Sequence, residues 1–185
     1  MQYYSAQDLA RSFRTVRNNT ITIAEEIPEE SYGFRAAPES RSVAETLAHI
    51  AAAPRWAKSM HTLLITHPDA ATFRAGHEEV MKYQATLTTK AQILEALRAG
   101  GEEFASWLAT LTDETLAERV YFPEGAQPPS KTRFEMLLSP KEHEMHHRAQ
   151  LMVVERMLGL VPHLTREQQA RMAAMEQRPA SAQGA

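Results

Sequence analysis

Apolar residues recur at helical spacing in four separate stretches of this chain, and nowhere does a long run alternate in the manner of a strand. Leu9, Phe13, Val16, Thr20, Ile23 and Ile27 step by four and three, a single stripe that predicts a helix over about 5–26. Pro28 cannot continue it. A second helix is expected from about Ser42 to before His67-Pro68, carrying Val43, Leu47 and Ile50, with Pro54 placed to kink it. A third starts with Thr88 or Thr89 as its cap and carries Leu94, Leu97, Phe104, Leu108 and Leu111. Gly100-Gly101 in its middle points to a bend or a close neighbour. A fourth is expected from Ser139, with Pro140 in the first helical position and Glu142 completing a capping box, and it ends at Gly159. Thr132–Leu138 reads as a separate helical turn before it. A short fifth helix follows from Thr165 to about Gln177. Four amphipathic helices with weak strand signals predict an all-α four-helix bundle with a short extra C-terminal helix.

The connections are less defined. Residues 67–88 read as a long link with about one helical turn, with turns at His67-Pro68-Asp69 and Gly76. Residues 111–130, with Pro123, Pro128 and Pro129, read as a loop. The expected organisation is one domain over 1–177 and a disordered tail over 178–185.

Composition narrows the functional classes. Among 185 residues, 20 Lys and Arg stand against 23 Asp and Glu, which gives no basic footprint for nucleic acid. No run of 18 apolar residues suggests a membrane span. The first residues lack the basic stretch and apolar core of a secretory signal, so a cytoplasmic location is expected. Cysteine is absent, which removes disulfides, thiolate ligands and a cysteine nucleophile.

The richest stretch in chemistry is His143-Glu144-Met145-His146-His147-Arg148-Ala149-Gln150-Leu151. Residues four apart lie one above the other on a helix, so His143 and His147 point the same way, toward the bundle interior along with Gln150, Val154 and Met157. Two such imidazoles suit one metal ion, and a third ligand from another helix would leave a coordination position open. His49 is the best third candidate: alanines 48, 51, 52 and 53 leave room around it, and Ala52, Trp56 and Met60 could wall a pocket. The spacing equally fits a hydrogen-bonded core pair or a solvated pair, and spacing by itself does not choose. Because ligands must be neutral imidazoles, metal affinity is expected to fall below about pH 6.5. His146 points away from the pair. His61, His67, His77 and His163 read as surface or loop, Trp56 and Trp107 as core, and Arg148 as reaching solvent or a dimer partner.

The chain resembles the DinB/YfiT-like superfamily. The resemblance rests on Leu47-Ala48-His49-Ile50, on Leu111-Thr112-Asp113-Glu114-Thr115-Leu116, on the nine residues from His143 to Leu151, and on Leu158-Gly159-Leu160-Val161-Pro162, in that order over most of residues 5–163. It implies a bundle with a divalent ion, zinc or nickel above all, on His49, His143 and His147. It also implies a homodimer and a small-molecule substrate. The activity implied is that of a metal-dependent thiol S-transferase or related enzyme using a low-molecular-weight thiol, the alternative being a metal-binding stress or interaction protein without turnover. Pro54, Gly100-Gly101 and Ala149 depart from the family pattern. The same stretch spells His-Glu-x-x-His, the zincin peptidase motif with Glu144 as base. Gln150 and Val153 stand where the longer peptidase pattern needs Gly and His, a third ligand at Glu167 falls beyond helix breakers, and no strands offer a substrate edge. Glu144 and Gln150 remain candidates for a catalytic or supporting role.

Overall fold

The computed structural model describes residues 4–177; the tail expected over 178–185 lies outside the described residues. Helix α1 (Ala6–Glu26) begins at a Ser5–Asp8 capping box and buries the expected stripe. Helix α2 (Val43–Thr62) begins at a Ser42–Glu45 box and runs through Pro54. Helix α3 spans Ala70–Gln84. Helix α4 (Lys90–Glu95), capped by Thr89, continues through a π-helical turn (Ala96–Gly100) into α5 (Gly101–Leu108). After α6 (Asp113–Ala117), strands β1 (Arg119–Tyr121) and β2 (Ser130–Thr132) form a small antiparallel ribbon with Val120 opposite Lys131. Helix α7 spans Arg133–Met157 and α8 His163–Glu176. The bundle is made of α1, α2, the continuous α4–α5 rod and α7, with α1 against α5 and α7, and α2 against α3 and α7.

Two apolar clusters fill the interior. At one end Leu9, Phe13, Phe104, Leu108 and Leu137 meet, with the rings of Phe13 and Phe104 edge to face at 4.9 Å. At the other, Ile23, Ile27, Leu47, Ile50, Ile93, Leu97 and Leu151 pack together. Burying each such side chain favours the fold by about 1.5–3 kcal/mol.

Several local expectations are corrected. Residues 70–84 form a full helix rather than a link. Asp69 caps it, its Oδ1 accepting from the Thr72 N–H at 2.7 Å, but Val80 is its single buried residue among those described, so there was no stripe to read. Gly76 is no turn: it lies within α3, where a Cβ would fall 1.5 Å from the indole nitrogen of Trp56. Residues 111–130 include α6 and β1, not merely a loop. Helix α7 starts at Thr132 with a Thr132–Glu135 box and passes through Pro140, so Ser139 is interior rather than a cap. Leu137, with Phe134 and Leu138, anchors this first stretch in the core, and that packing outweighs the hydrogen bond Pro140 cannot make. Helix α8 starts two residues earlier than Thr165, behind Pro162, without a side-chain cap.

Two histidines read as surface are buried. His61 is 2% exposed, and its Nδ1 accepts from Arg133 Nη1 at 3.0 Å. Burial, with Arg133 beside it, lowers its pKa to about 4. His163, 5% exposed, lies near Asn19 of α1.

Candidate metal centre

His49 comes from the middle of α2, and His143 and His147 from successive turns of α7. The packing of α2 on α7 brings the three rings together, with centroids 4.6–5.0 Å apart. Nε2 of His143 lies 3.0 Å from Nε2 of His49 and 3.1 Å from Nε2 of His147, and one nitrogen of each ring lies within 4.8 Å of the others. Nitrogens on adjacent corners of a tetrahedron around a zinc-sized ion would be roughly 3.3 Å apart, so these separations suit shared ligation.

The second nitrogens fix the tautomers. His49 Nδ1 donates to Gln84 Oε1 at 3.2 Å, and His147 Nδ1 donates to Gln150 Oε1 at 2.9 Å. Both rings thereby turn a lone pair at Nε2 inward. His143 Nε2 faces both lone pairs and could satisfy at most one of them with a proton. One cation at this point would satisfy all three nitrogens, so the donor set fits a metal ion. Burial lowers the pKa of each ring, most for His143, to about 4; for His143 the neighbouring imidazoles add to it, and Arg41 contributes at all three. The rings are therefore held neutral, the form that binds metal.

Two cavities with no lining residue in common reach the centre. A cleft of about 780 Å³ runs along His147, Gln150 and His146 beneath the loop carrying Glu39, Ser40 and Arg41. A smaller cavity of about 180 Å³ reaches His49 and His143 and is walled by Ala53, Trp56, Met60 and Met136.

The other candidates fall as follows. Gln150 orients His147, and its Nε2 donates to His146 Nε2 at 3.2 Å. Glu144 is turned away into the core at 1% exposure, both carboxylate oxygens accepting from Arg17 at 2.9 Å. A carboxylate so engaged is not disposed as the base of a zincin, and Glu167 lies on exposed α8 beside Arg171. Trp56 is partly buried and walls the smaller cavity rather than filling the core. Gln84 was not foreseen, because α3 was not; the Asp69-x-x-Thr72 cap was the signal available.

The match to known proteins agrees with the helical fold. The DinB family profile matches residues 1–179. No curated protein sequence matches the chain. A DinB-like protein from Bacillus subtilis superposes with a TM-score of 0.61 at 23% identity, covering 82% of this chain and 91% of that one. A DinB-like protein from Bacillus cereus superposes with a TM-score of 0.66 at 18% identity, covering 87% and 97%. At such identities the superpositions speak to the fold. The profile match spans nearly the whole chain, and it establishes that this protein belongs to the DinB family.

Proposed function

We propose that the protein is a metal-dependent thiol S-transferase, or a closely related enzyme, acting on a small molecule. The observation that carries this reading is the convergence of three neutral imidazoles, of which His147 lines one cavity and His49 and His143 line another. A transfer between two substrates needs two approaches to one centre, and a non-catalytic ion store needs none. A divalent ion bound there, zinc or nickel, would supply Lewis acidity that lowers the pKa of a thiol or water. The chain's own residues do the rest. Gln84 and Gln150 hold the imidazoles in register, and Trp56, Met60 and Met136 offer an apolar wall to one reactant. Since the chain has no cysteine, the thiol arrives as a cosubstrate. Met145, Val153 and Met157 form an exposed apolar stripe on α7, which favours a homodimer.

The test is S-conjugation of a low-molecular-weight thiol to a chromogenic electrophile. Zinc- or nickel-loaded protein should accelerate it over the same concentration of free ion, and His147→Ala should abolish the gain. Metal-loaded protein that gives no acceleration with any of a panel of small thiols would favour the non-catalytic alternative.

A further inference from the structure

The loop that roofs the larger cleft is braced from within. Arg35 donates to the Ser40 carbonyl at 2.6 Å and grips both oxygens of Glu45 at 2.6 and 2.8 Å. Glu45 also accepts from the Ser42 N–H at 2.9 Å. The first turn of α2 is likewise spoken for: Val43 N–H bonds Phe34, Ala44 N–H bonds Tyr32, Glu45 N–H bonds the Ser42 hydroxyl, and Thr46 N–H bonds Ser42. The acid near Arg41 on α2 is therefore taken by Arg35, and the helix terminus has no donor to spare. Arg41, between them, is exposed and makes no hydrogen bond or ion pair among the described residues. It shares the cleft wall with His147 and Gln150, and its field reaches all three imidazoles. A free guanidinium beside a metal centre is suited to bidentate capture of a carboxylate. The other charge on this wall, Glu39, would repel a second carboxylate.

We infer that Arg41 determines specificity at this centre by binding the single carboxylate of a small anionic thiol whose sulfur reaches the three histidines. This inference rests on the thiol chemistry proposed above. Arg41 is a binding residue for the part of the molecule that does not react, so it should govern affinity for the carboxylate and leave the sulfur's own contact unchanged.

The experiment uses cobalt-loaded protein titrated with 3-mercaptopropionate and with its neutral amide, read from the sulfur-to-cobalt absorption band. The acid should bind about tenfold more tightly than the amide. Arg41→Ala should erase that difference, bringing affinity for the acid down to that of the amide, and Arg41→Lys should retain part of it. Equal affinities in the wild type, or a preference that survives in Arg41→Ala, would overturn the inference while leaving the metal centre intact. A protein that takes up no cobalt would instead overturn the metal reading. In that case metal-free protein titrated with propionate decides on Arg41: saturable shifts of the Gln150 side-chain amide, absent in Arg41→Ala, support it, and no shift in either protein refutes it.

Discussion

Arg17 on α1 and Glu144 on α7 form a two-pronged ion pair with side chains 3% and 2% exposed, and the pair ties together the two helices that carry the three-histidine cluster. Glu144 adjoins His143. The same guanidinium donates to the carbonyl of Ile50, the neighbour of His49, and to that of Leu97 in the π turn. Pro54 has no N–H to offer the Ile50 carbonyl, and Arg17 supplies a donor in its place. Gly101 leaves room for it, since a Cβ there would come within 2.8 Å of Arg17 Cγ. The departures at Pro54 and Gly101 therefore serve one buried side chain.

Removing one member of this pair should cost far more than removing both. Arg17→Ala strands the Glu144 carboxylate in the core and should destabilise the protein by about 3–5 kcal/mol. The double variant Arg17→Met/Glu144→Leu should recover much of that loss. Urea unfolding of the two variants provides the comparison, and equal losses would show that the pair is not acting as a unit.

Metal occupancy should depend on each imidazole. Protein refolded with zinc or nickel should hold about one ion per chain by elemental analysis, and His49→Ala, His143→Ala or His147→Ala should lose it. Gln84→Ala and Gln150→Ala should weaken affinity by about 10–100-fold, because each orients a ligand. A chelator should lower the wild-type melting temperature, since an ion bound at 100 times its Kd adds about 2.7 kcal/mol. Unchanged melting with chelator would argue against the centre.

Metal binding should persist to lower pH than free imidazole suggests. The three rings have pKa values below the usual 6.5, that of His143 at about 4. Protons should therefore compete at lower pH than the 6.5 expected from ligand type alone, and at His143 only near pH 4. The sign for metal-free protein follows. Above 6.5 the rings are neutral folded and unfolded, and below it the unfolded chain takes up protons first. Stability should thus fall between pH 6.5 and 4, by these rings and by His61. Competition titrations and melting curves across that range check both statements.

Glu155 should act in the opposite direction. It is fully buried, its carboxylate oxygens have no hydrogen-bond partner among the described residues, and burial, with Glu26 nearby, pushes its pKa up to about 7. The folded protein keeps this proton while the unfolded chain releases it near 4.5, so stability is lost as the pH rises from 4.5 through 7. Glu155→Gln should stabilise the protein at pH 8 by on the order of 1–2 kcal/mol and change little at pH 4.5. A variant no more stable at pH 8 would mean that the carboxylate finds a partner in solution.

Much of the bundle was legible because its signals are local. The α1 stripe, the Ser42–Glu45 box and the halt at Gly159 each depend on neighbours within a turn or two, and the helices formed there. Helix α3 was not legible, since a helix that buries little has no periodicity to betray it. The start of α7 was misread for the converse reason: Ser139-Pro140 is a sound local start signal, but the apolar face of 134–138 finds a core only if the helix continues backward through it.

The same division holds for function. Spacing along α7 was enough to make His143 and His147 a pair facing one way, because helical pitch fixes side-chain direction. Whether His49 met them, that Gln84 held the His49 ring, that Glu144 turned inward to Arg17 and that Arg41 stayed free were settled only by the packing of α1, α2 and α3 around α7. Those contacts join residues from 35 to 127 positions apart, and no local rule relates residues so far separated until the chain has folded.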